Sequence, residues 1–308
     1  MSWSPGDIPD LSGRTALVTG VSVGGLGYFT ALELARAGAR VVLAGRNPDK
    51  LTETGEAIHD ELPDAPLEPL VIDLADLSSV RSGAAAARTF GPLDLLVNNA
   101  GIMATPYRRT VDGLESQLAT NHFGPFLLTG LLLPQLSDDA RVVTVSSQMH
   151  RVAHTPPLAD PRVKPRPYLR WIAYSQTKLA NLLFTFELDR RLRAAGAATA
   201  ALAAHPGGAR TKLGRDGGNW TNRLLPLFAP FEQPASVGSL GLVRAATDPA
   251  AQGGEYYGPK LQIWGPPVRE RPGRSARDPE AAVSLWEQSE ELTGCRSRFD
   301  VEDGPRSR

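Results

Sequence analysis

Residues 15–37 read TALVTGVSVGGLGYFTALELARA. The first six residues are a short, β-branched and apolar run that ends at a glycine, which is typical of a buried strand. Residues 28–37 form a helix-length segment that Gly38 ends. The glycine-rich turn between strand and helix lets the backbone approach a pyrophosphate, which the N–H groups at a helix N-terminus can bind. By itself, this turn fits a dinucleotide site and a plain tight turn equally well.

The same alternation of strand-length and helix-length segments continues along the chain. Further strands are predicted at residues 41–45, 69–73, 94–101, 141–147, 199–207 and 254–264, and further helices at about 48–62, 78–88, 112–136, 173–195 and 278–293. Because such units connect by right-handed crossovers, the pattern predicts a doubly wound parallel sheet with helices on both faces. No repeat or linker separates two cores, so we expect one α/β domain over residues 1–308 with about seven strands.

Local signals set several of the predicted helix ends. Asn47 and Pro48 fit the N-cap and first position of the second helix, and Asp278 fits the N-cap of the last one. Asp112 and Glu115 have the spacing of a capping box, which predicts that the long central helix begins at Asp112.

Composition excludes several classes of protein. The chain carries 33 Lys and Arg against 33 Asp and Glu, which argues against a nucleic-acid footprint or a polybasic membrane patch. The single cysteine, Cys295, excludes a disulfide within the chain and a multi-cysteine zinc site. No apolar stretch reaches the length of a membrane span, and the N-terminus lacks the features of a secretory signal. We therefore expect a cytoplasmic protein without a metal site.

The end of the second predicted strand bears on cofactor choice. In a doubly wound sheet, ligands bind beyond the carboxyl ends of the strands, and an acidic residue at this point bonds the ribose 2′-OH of NAD. Arg46 stands there instead, and a guanidinium can hold the 2′-phosphate of NADP with two hydrogen bonds. A solvated surface arginine is the plainer alternative. The position favours NADP(H) over NAD(H).

Three polar residues predict acid–base chemistry. Tyr174 and Lys178 are four residues apart, which places both side chains on one face of a helix. A free phenol has a pKa of about 10, and a neighbouring ammonium stabilises the phenolate and lowers that pKa. Such pairs also occur by chance on protein surfaces, but Ser147 ends a predicted strand at the same crevice. Its hydroxyl can hydrogen-bond a carbonyl oxygen that is becoming an alkoxide.

The order of these motifs resembles that of the short-chain dehydrogenase/reductase family. The motifs are TGVSVGGLG at 19–27, NNAG at 98–101, VSS at 145–147, YSQTK at 174–178 and HPGGART at 205–211. The resemblance covers about residues 11–294 and is strongest to the branch of retinol dehydrogenases, WW-domain oxidoreductases and protochlorophyllide reductases. It implies a Rossmann-like fold and direct hydride transfer between a nicotinamide and a carbonyl carbon, without a metal. One departure is that four residues, instead of the usual three, separate Gly20 from Gly25.

The resemblance also implies roles for individual residues. Asn121 would bend its helix and hold a water in a proton relay from Lys178, Ser147 would orient the substrate oxygen, and Tyr174 would donate the proton in reduction. The implied cofactor contacts are Gly20, Ser22, Gly25, Leu26, Gly27, Arg46, Asp73, Leu74, Asn99, Ala100, Gly101, Tyr174, Lys178, Pro206, Gly207 and Thr211.

Two segments that interrupt the alternation are expected near the substrate. Residues 148–172 are rich in proline and basic residues, which suits an acidic substrate or, more plainly, a solvated loop. Residues 212–234 combine a glycine-rich half with an apolar half that could cover a hydrophobic carbonyl compound. Packing on the domain's own surface and a subunit contact are open alternatives for that half. Residues 265–277 are expected to form a connector before the last helix.

Two further expectations concern function and assembly. The leading interpretation is an NADP(H)-dependent oxidoreductase acting on a small-molecule carbonyl or alcohol, and the alternative is a catalytically silent NADP(H)-sensing protein on the same fold. The retained catalytic set favours the enzyme. The sugar-nucleotide epimerase branch is disfavoured because the segment after the last predicted strand is too short for a substrate domain. Relatives often form homodimers or homotetramers through the two long helices, 112–136 and 173–195, although monomers exist.

Overall fold

The computed structural model describes residues 3–153, 160–165, 167–208 and 233–296. Its strands are β1 (Thr15–Thr19), β2 (Arg40–Gly45), β3 (Leu67–Val71), β4 (Leu93–Asn98), β5 (Leu136–Val145), β6 (Ala200–Ala204), β7 (Tyr256–Pro259) and β8 (Pro267–Glu270). Its helices are α1 (Leu26–Arg36), α2 (Pro48–Glu61), α3 (Leu77–Ala87), α4 (Ser116–Leu118), α5 (Gly124–Leu132), α6 (Arg170–Ala194), α7 (Ala235–Gly238), α8 (Leu240–Thr247) and α9 (Pro279–Thr293). A π-helical turn (Ala119–Phe123) joins α4 to α5.

The strands form one sheet in the order β3-β2-β1-β4-β5-β6-β7-β8. All neighbouring pairs from β3 to β7 are parallel, and β8 runs antiparallel to β7. The strand order reverses between β1 and β4, which places a ligand crevice beyond the carboxyl ends of these two strands. The predicted Rossmann-like, doubly wound α/β sheet is thus confirmed.

The eighth strand corrects the prediction for the C-terminal part of the sheet. The strand expected at 254–264 ends at Pro259, and the expected connector at 265–277 contains β8. This strand has only four residues, PVRE, and pairs Arg269 with Tyr257 across an antiparallel ladder. A half-buried strand this short carries no periodicity that distinguishes it from a loop.

Side chains alternate between two core layers, as the period of a strand requires. On β1, Leu17 packs with residues of α3, α5, α6 and α9, whereas Ala16 and Val18 pack with residues of α1, α2 and α8. All five residues of β1 are buried. Both faces of the sheet are therefore covered, which explains why the central strands are continuously apolar.

Two of the predicted N-caps are present. The Asn47 side chain accepts a hydrogen bond from the Lys50 backbone N–H at 3.1 Å. Asp278 accepts from two N–H groups in the first turn of α9, and Gly294 ends that helix with a left-handed φ of +62°. Helices α2 and α9 accordingly begin where the sequence predicts.

The capping box predicted at Asp112 is wrong. Glu115 is the N-cap of α4, and its carboxylate accepts two first-turn N–H groups at 2.9 Å. The Asp112 carboxylate instead accepts from the Leu77 N–H at 3.0 Å. A tight turn closed at Gly113, with a φ of +77°, separates Asp112 from the helix, so the helix begins at Ser116.

Helix α9 packs against α6 and α5 through an aromatic contact. The indole of Trp286 stacks on the Phe184 ring at 5.9 Å and meets the Phe126 ring edge-on at 5.0 Å. The Arg191 guanidinium lies 4.6 Å from the centre of the same indole. Within the described ranges, every helix is too short or too polar to cross a membrane.

Candidate active site

The C-terminal end of β5 and the start of α6 bring three of the predicted catalytic residues together. Ser147 follows β5, and Tyr174 and Lys178 lie one turn apart on α6. The Ser147 side chain acts on the Tyr174 phenol by lowering its pKa, and the Lys178 Nζ lies 5.7 Å from the centre of the Tyr174 ring. Tyr174 and Lys178 are buried, and Ser147 is half-buried. The three side chains thus form one cluster at the carboxyl end of β5.

The conformation of Ser147 is set by the turn that follows it. Ser147 is the N-cap of a short 3₁₀ turn (Gln148–Arg151), and its Oγ accepts the Met149 N–H at 3.2 Å. Because the backbone N–H occupies a lone pair on Oγ, the hydroxyl proton is available to a different acceptor. Ser147 can therefore donate a hydrogen bond to a substrate oxygen.

The Lys178 ammonium is fixed on the neighbouring strand. Its Nζ donates to the Val145 carbonyl at 3.1 Å, and the Asn181 side chain donates to the same carbonyl at 2.9 Å. The Lys178 side chain is almost fully enclosed, and this burial lowers its pKa to about 8.

The pKa of Tyr174 shifts in the direction opposite to the sequence-based expectation. Burial raises it to about 12, and the nearby Ser147 side chain offsets only part of that effect. The expected lowering by the Lys178 ammonium is not observed, because burial disfavours the charged form of both side chains. Tyr174 consequently keeps its proton throughout the neutral range, as a proton donor must.

Asn121 lies in the π-helical turn and connects the loop after β4 to helix α6. Its Oδ1 accepts the Ile102 N–H at 2.7 Å, and its Nδ2 donates to the Ile102 carbonyl at 2.9 Å and to the Thr177 Oγ1 at 3.0 Å. Thr177 in turn donates to the Tyr174 carbonyl at 2.8 Å. π-Helical turns are rare in proteins, but those that occur are often at functional sites. Sequence reasoning missed Thr177, although its place between Tyr174 and Lys178 is a usable signal.

The glycine-rich turn after β1 approaches the turn after β4 closely. Gly20 has a φ of +72°, and a Cβ there would lie 2.6 Å from the Ala100 Cα. A Cβ on Gly27 would lie 2.5 Å from the Asn99 Nδ2. Only glycine fits at these two positions, since real Cβ atoms do not approach other atoms so closely.

The turn accommodates its additional residue in the segment directly before α1. The Gly25 N–H donates to the Ser22 carbonyl at 2.8 Å, and Gly24 adopts a left-handed φ of +76° with open space around it. Gly25 is the N-cap of α1. Because glycine has no side chain, no N-cap side chain accepts a hydrogen bond from the first-turn N–H groups of Leu26 and Gly27. This open helix N-terminus fits a pyrophosphate, which is bound by such N–H groups.

The turn after β4 is held against β1 by Thr19, a residue that sequence reasoning missed. The Thr19 Oγ1 accepts the N–H groups of Asn99 and Ala100, both at 3.1 Å. The Asn99 amide donates to the Thr19 carbonyl at 2.7 Å. Gly101 lies close to Asn121, because a Cβ on Gly101 would be 3.1 Å from the Asn121 Oδ1. The signal in the sequence is a hydroxyl residue directly before the first glycine.

The remaining predicted cofactor residues follow other strands at the same edge. Arg46 is exposed after β2, and Asp73 after β3 accepts the Ala75 N–H at 2.9 Å. The backbone of Leu74 touches Gly124, where a Cβ would collide with the Leu74 carbonyl. After β6, Pro206 leads into Gly207, which has a φ of +65°. Thr211 and residues 212–232 lie outside the described residues.

Three basic side chains in the described part of the 148–172 loop have partners within the protein. Arg151 donates to the Gln148 side chain at 2.7 Å, and Arg162 pairs with Asp160 at 2.8 Å. The Lys164 ammonium lies 5.2 Å from the centre of the Tyr107 ring. These contacts favour a structural role for these three side chains over recognition of an acidic substrate.

Comparisons with known proteins show which family the chain resembles. Residues 14–158 match the family model of the short chain dehydrogenases. Human retinol dehydrogenase 13 is 37% identical over 297 residues, which span 93% of this chain and 86% of that protein. The chain belongs to the short-chain dehydrogenase/reductase family. The resemblance predicted from the motifs, including the retinol-dehydrogenase-like branch, is thereby confirmed.

Two further proteins match over most of their length. A WW domain-containing oxidoreductase from Danio rerio is 38% identical over 308 residues, covering 94% of this chain and 70% of that protein. The crystal structure of an uncharacterized protein from Mycobacterium paratuberculosis superposes with a TM-score of 0.80 at 43% identity, covering 96% of this chain and 99% of the other. The family uses a nicotinamide cofactor, NAD(H) or NADP(H), on small-molecule substrates.

Proposed function

We propose that this short-chain dehydrogenase/reductase is an NADP(H)-dependent enzyme that interconverts a carbonyl and an alcohol group of a hydrophobic small molecule. The observation that carries the proposal is the cluster of Tyr174, Ser147 and Lys178 at the crevice edge of the sheet, in which the phenol and the ammonium are buried. A cofactor-binding protein without catalysis does not need a protonated phenol beside a serine hydroxyl and a buried ammonium.

The cluster suggests a division of labour in reduction. The nicotinamide supplies the hydride when it is bound. Ser147 donates a hydrogen bond to the substrate oxygen, and Tyr174 transfers its proton to that oxygen as negative charge develops there. Ser147 and the Lys178 ammonium then stabilise the phenolate that remains. Asn121, bonded to Thr177 next to Lys178, fixes this part of α6 in place.

Cofactor binding is assigned to the turns after β1, β2, β4 and β6. The open N-terminus of α1 is suited to the pyrophosphate, and Arg46 is suited to a 2′-phosphate because its exposed guanidinium stands where NAD-specific enzymes carry an acidic residue. Asn99, Ala100 and Gly101 would form the floor below the cofactor. Lys178 would also bond the nicotinamide ribose.

Two observations support a hydrophobic substrate. The 212–234 segment has an apolar half, and Arg151 and Arg162 of the 148–172 loop already have partners within the protein, which argues against an acidic substrate. The balanced charge of the chain argues against nucleic acid as a partner. A cytoplasmic location and the oligomeric state stay predictions.

A carbonyl panel tests the proposal directly. Purified protein is mixed with NADPH and with aromatic, steroid-like, retinoid-like and quinone carbonyls, and NADPH oxidation is followed by absorbance. We expect turnover of at least one apolar carbonyl, faster with NADPH than with NADH. Tight NADPH binding without turnover of any compound, in either direction, would instead support the silent sensing protein.

A further inference from the structure

The turn after Ser147 is fastened to the segment that follows β8. His150, in the middle of this turn, is buried and bonds in two directions. Its Nδ1 lies 2.6 Å from the Ser147 carbonyl oxygen, and its Nε2 accepts the Gly273 N–H at 2.9 Å. The His150 backbone N–H donates to the same Ser147 carbonyl at 3.0 Å. The two donors on His150 therefore occupy both lone pairs of that oxygen.

These partners leave one tautomer for His150. A carbonyl oxygen only accepts, so Nδ1 must carry the proton, and a backbone N–H only donates, so Nε2 must be unprotonated. Burial lowers the pKa of His150 to about 4, which keeps the ring neutral near pH 7. The ring also meets Tyr256 edge-on at 5.6 Å, so its orientation is fixed by packing as well as by hydrogen bonds.

Two neighbours of His150 make parallel connections to the same segment. The Gln148 amide donates to the Glu270 carboxylate at 3.0 Å, and Arg151 donates to the Arg271 carbonyl at 2.7 Å. Three side chains of one short turn thus reach β8 and the residues directly after it. Among them, only His150 also bonds the peptide carbonyl of Ser147.

We propose that His150 is a positioning residue for the reaction, which holds the Ser147 peptide against the backbone of Gly273 so that the Ser147 hydroxyl faces Tyr174. This inference rests on the proposed function, because it assigns His150 an effect through Ser147. The His150 ring touches neither the Tyr174 phenol nor the Lys178 ammonium in the contacts described above. Its action is confined to the orientation of one peptide group.

The geometry indicates what the loss of His150 would change. Without the ring, one lone pair of the Ser147 carbonyl and the Gly273 N–H both lose their partner, and the Ser147 peptide can rotate. A displacement of about 1 Å in a reacting group can reduce turnover by roughly 10²-fold. Cofactor binding is assigned to the turns after β1, β2, β4 and β6, and the hydrogen bonds of the His150 ring reach none of them, so the affinity for the cofactor should be unaffected.

The test compares four variants in NADPH-dependent reduction of 9,10-phenanthrenequinone. His150→Phe removes both hydrogen bonds, whereas His150→Asn keeps a donor near the Nδ1 position and loses only the acceptor. His59→Phe is the matched control, because His59 is exposed on α2. Ser147→Ala is the reference for loss of the hydroxyl itself.

We expect His150→Phe to lower kcat by roughly 10- to 100-fold, with KM and the Kd for NADPH within about threefold of the parent protein. His150→Asn should recover part of that loss, and His59→Phe should match the parent. Unchanged kcat in His150→Phe, alongside a loss in Ser147→Ala, would overturn the inference and leave the proposed function intact. Unchanged kcat in Ser147→Ala would contradict the proposed function.

A second measurement does not depend on turnover or on the stability of a variant. Long-range ¹H–¹⁵N correlation spectra of the ¹⁵N-histidine-labelled parent protein report the tautomer of each neutral imidazole. We expect one histidine, assigned by its disappearance in His150→Asn, to carry its proton on Nδ1 at pH 7. A proton on Nε2 of His150 would overturn the inference, because the bond to Gly273 could not then form.

Discussion

The Nζ of Lys178 lies 5.7 Å from the centre of the Tyr174 ring. Burial raises the pKa of Tyr174 and lowers the pKa of Lys178, so it favours the neutral form of each side chain. The phenol, with a pKa of about 12, therefore holds its proton at every physiological pH. The ammonium, with a pKa of about 8, is still charged at pH 7. This combination suits a phenol that donates its proton to a developing alkoxide and leaves a phenolate that a nearby cation stabilises.

Replacing Tyr174 by phenylalanine removes the proton donor and keeps the ring. We expect turnover with NADPH and a carbonyl substrate to fall by about 10²- to 10⁴-fold, the usual contribution of general acid catalysis. The Kd for NADPH, measured by fluorescence titration, should change by less than about threefold, since the phenol oxygen is a small part of the cofactor site. Tyr168→Phe is the matched control, because the Tyr168 hydroxyl bonds Glu115 instead of the cluster. Turnover retained by Tyr174→Phe would refute the assigned donor.

Lys178 makes stability depend on pH in alkaline solution. Its pKa is about 8 in the folded protein, below the ordinary value of 10.5, so the unfolded chain binds more protons between these two values. The free energy of unfolding contributed by this group therefore rises with pH from about pH 8 to pH 10, by about 1 kcal/mol per pH unit.

The measurement compares urea unfolding at pH 8, 9 and 10 for the parent protein and for Lys178→Met. The methionine variant should lack this rise, while Lys50→Met, at an exposed lysine of α2, should keep it. Parallel pH profiles for parent and Lys178→Met would show that Lys178 does not have a lowered pKa.

Arg46 should decide the choice between the two nicotinamide cofactors. We expect the parent protein to bind NADPH more tightly than NADH, by roughly 10- to 100-fold, because hydrogen bonds to a charged group contribute about 1.5–3 kcal/mol. Arg46→Glu should reverse the preference, since a carboxylate repels the 2′-phosphate and accepts from a ribose hydroxyl. Lys50→Glu makes the same change of charge on the first turn of α2 and should leave the preference in place. Equal affinities of the parent protein for NADPH and NADH would contradict the proposed binding of the 2′-phosphate by Arg46.

Trp286 should be important for stability and not for chemistry. The side chain is 3% exposed and packs against Phe184, Phe126 and Arg191. We expect Trp286→Ala to lower the free energy of unfolding by about 3–5 kcal/mol. Trp264→Ala, at a side chain that is 57% exposed, should lower it by less than about 0.5 kcal/mol. Similar losses in the two variants would contradict the packing described for α9.

The sequence predicts the arrangement of the candidate site well, for a topological reason. Arg46 follows a predicted strand, Asn99 and Ser147 lie at the ends of two others, and parallel strands place their carboxyl ends at one edge of the sheet. Their proximity follows from the strand order once the alternation of strands and helices is recognised. Tyr174 and Lys178 are added by the helical spacing alone.

Features that depend on three-dimensional burial or on long-range pairing are not predicted. The direction of the Tyr174 pKa shift is wrong in the sequence interpretation, because it depends on how completely the phenol is enclosed. Strand β8 is missed, because its four residues become a strand only by pairing with β7. The role of His150 is missed for the same reason, since its partner Gly273 is 123 residues away.

The position of α9 changes what can be expected of assembly. In relatives, the two long helices that correspond here to the α4–α5 segment and α6 are expected to meet their counterparts in another subunit. In this chain the indole of Trp286 and its neighbours already cover part of that face. A second copy that used the covered part would have to displace the chain's own last helix, so we expect a dimer contact to lie outside that part. The C-terminal helix thus occupies, within one polypeptide, a surface on which a neighbouring subunit would otherwise rest.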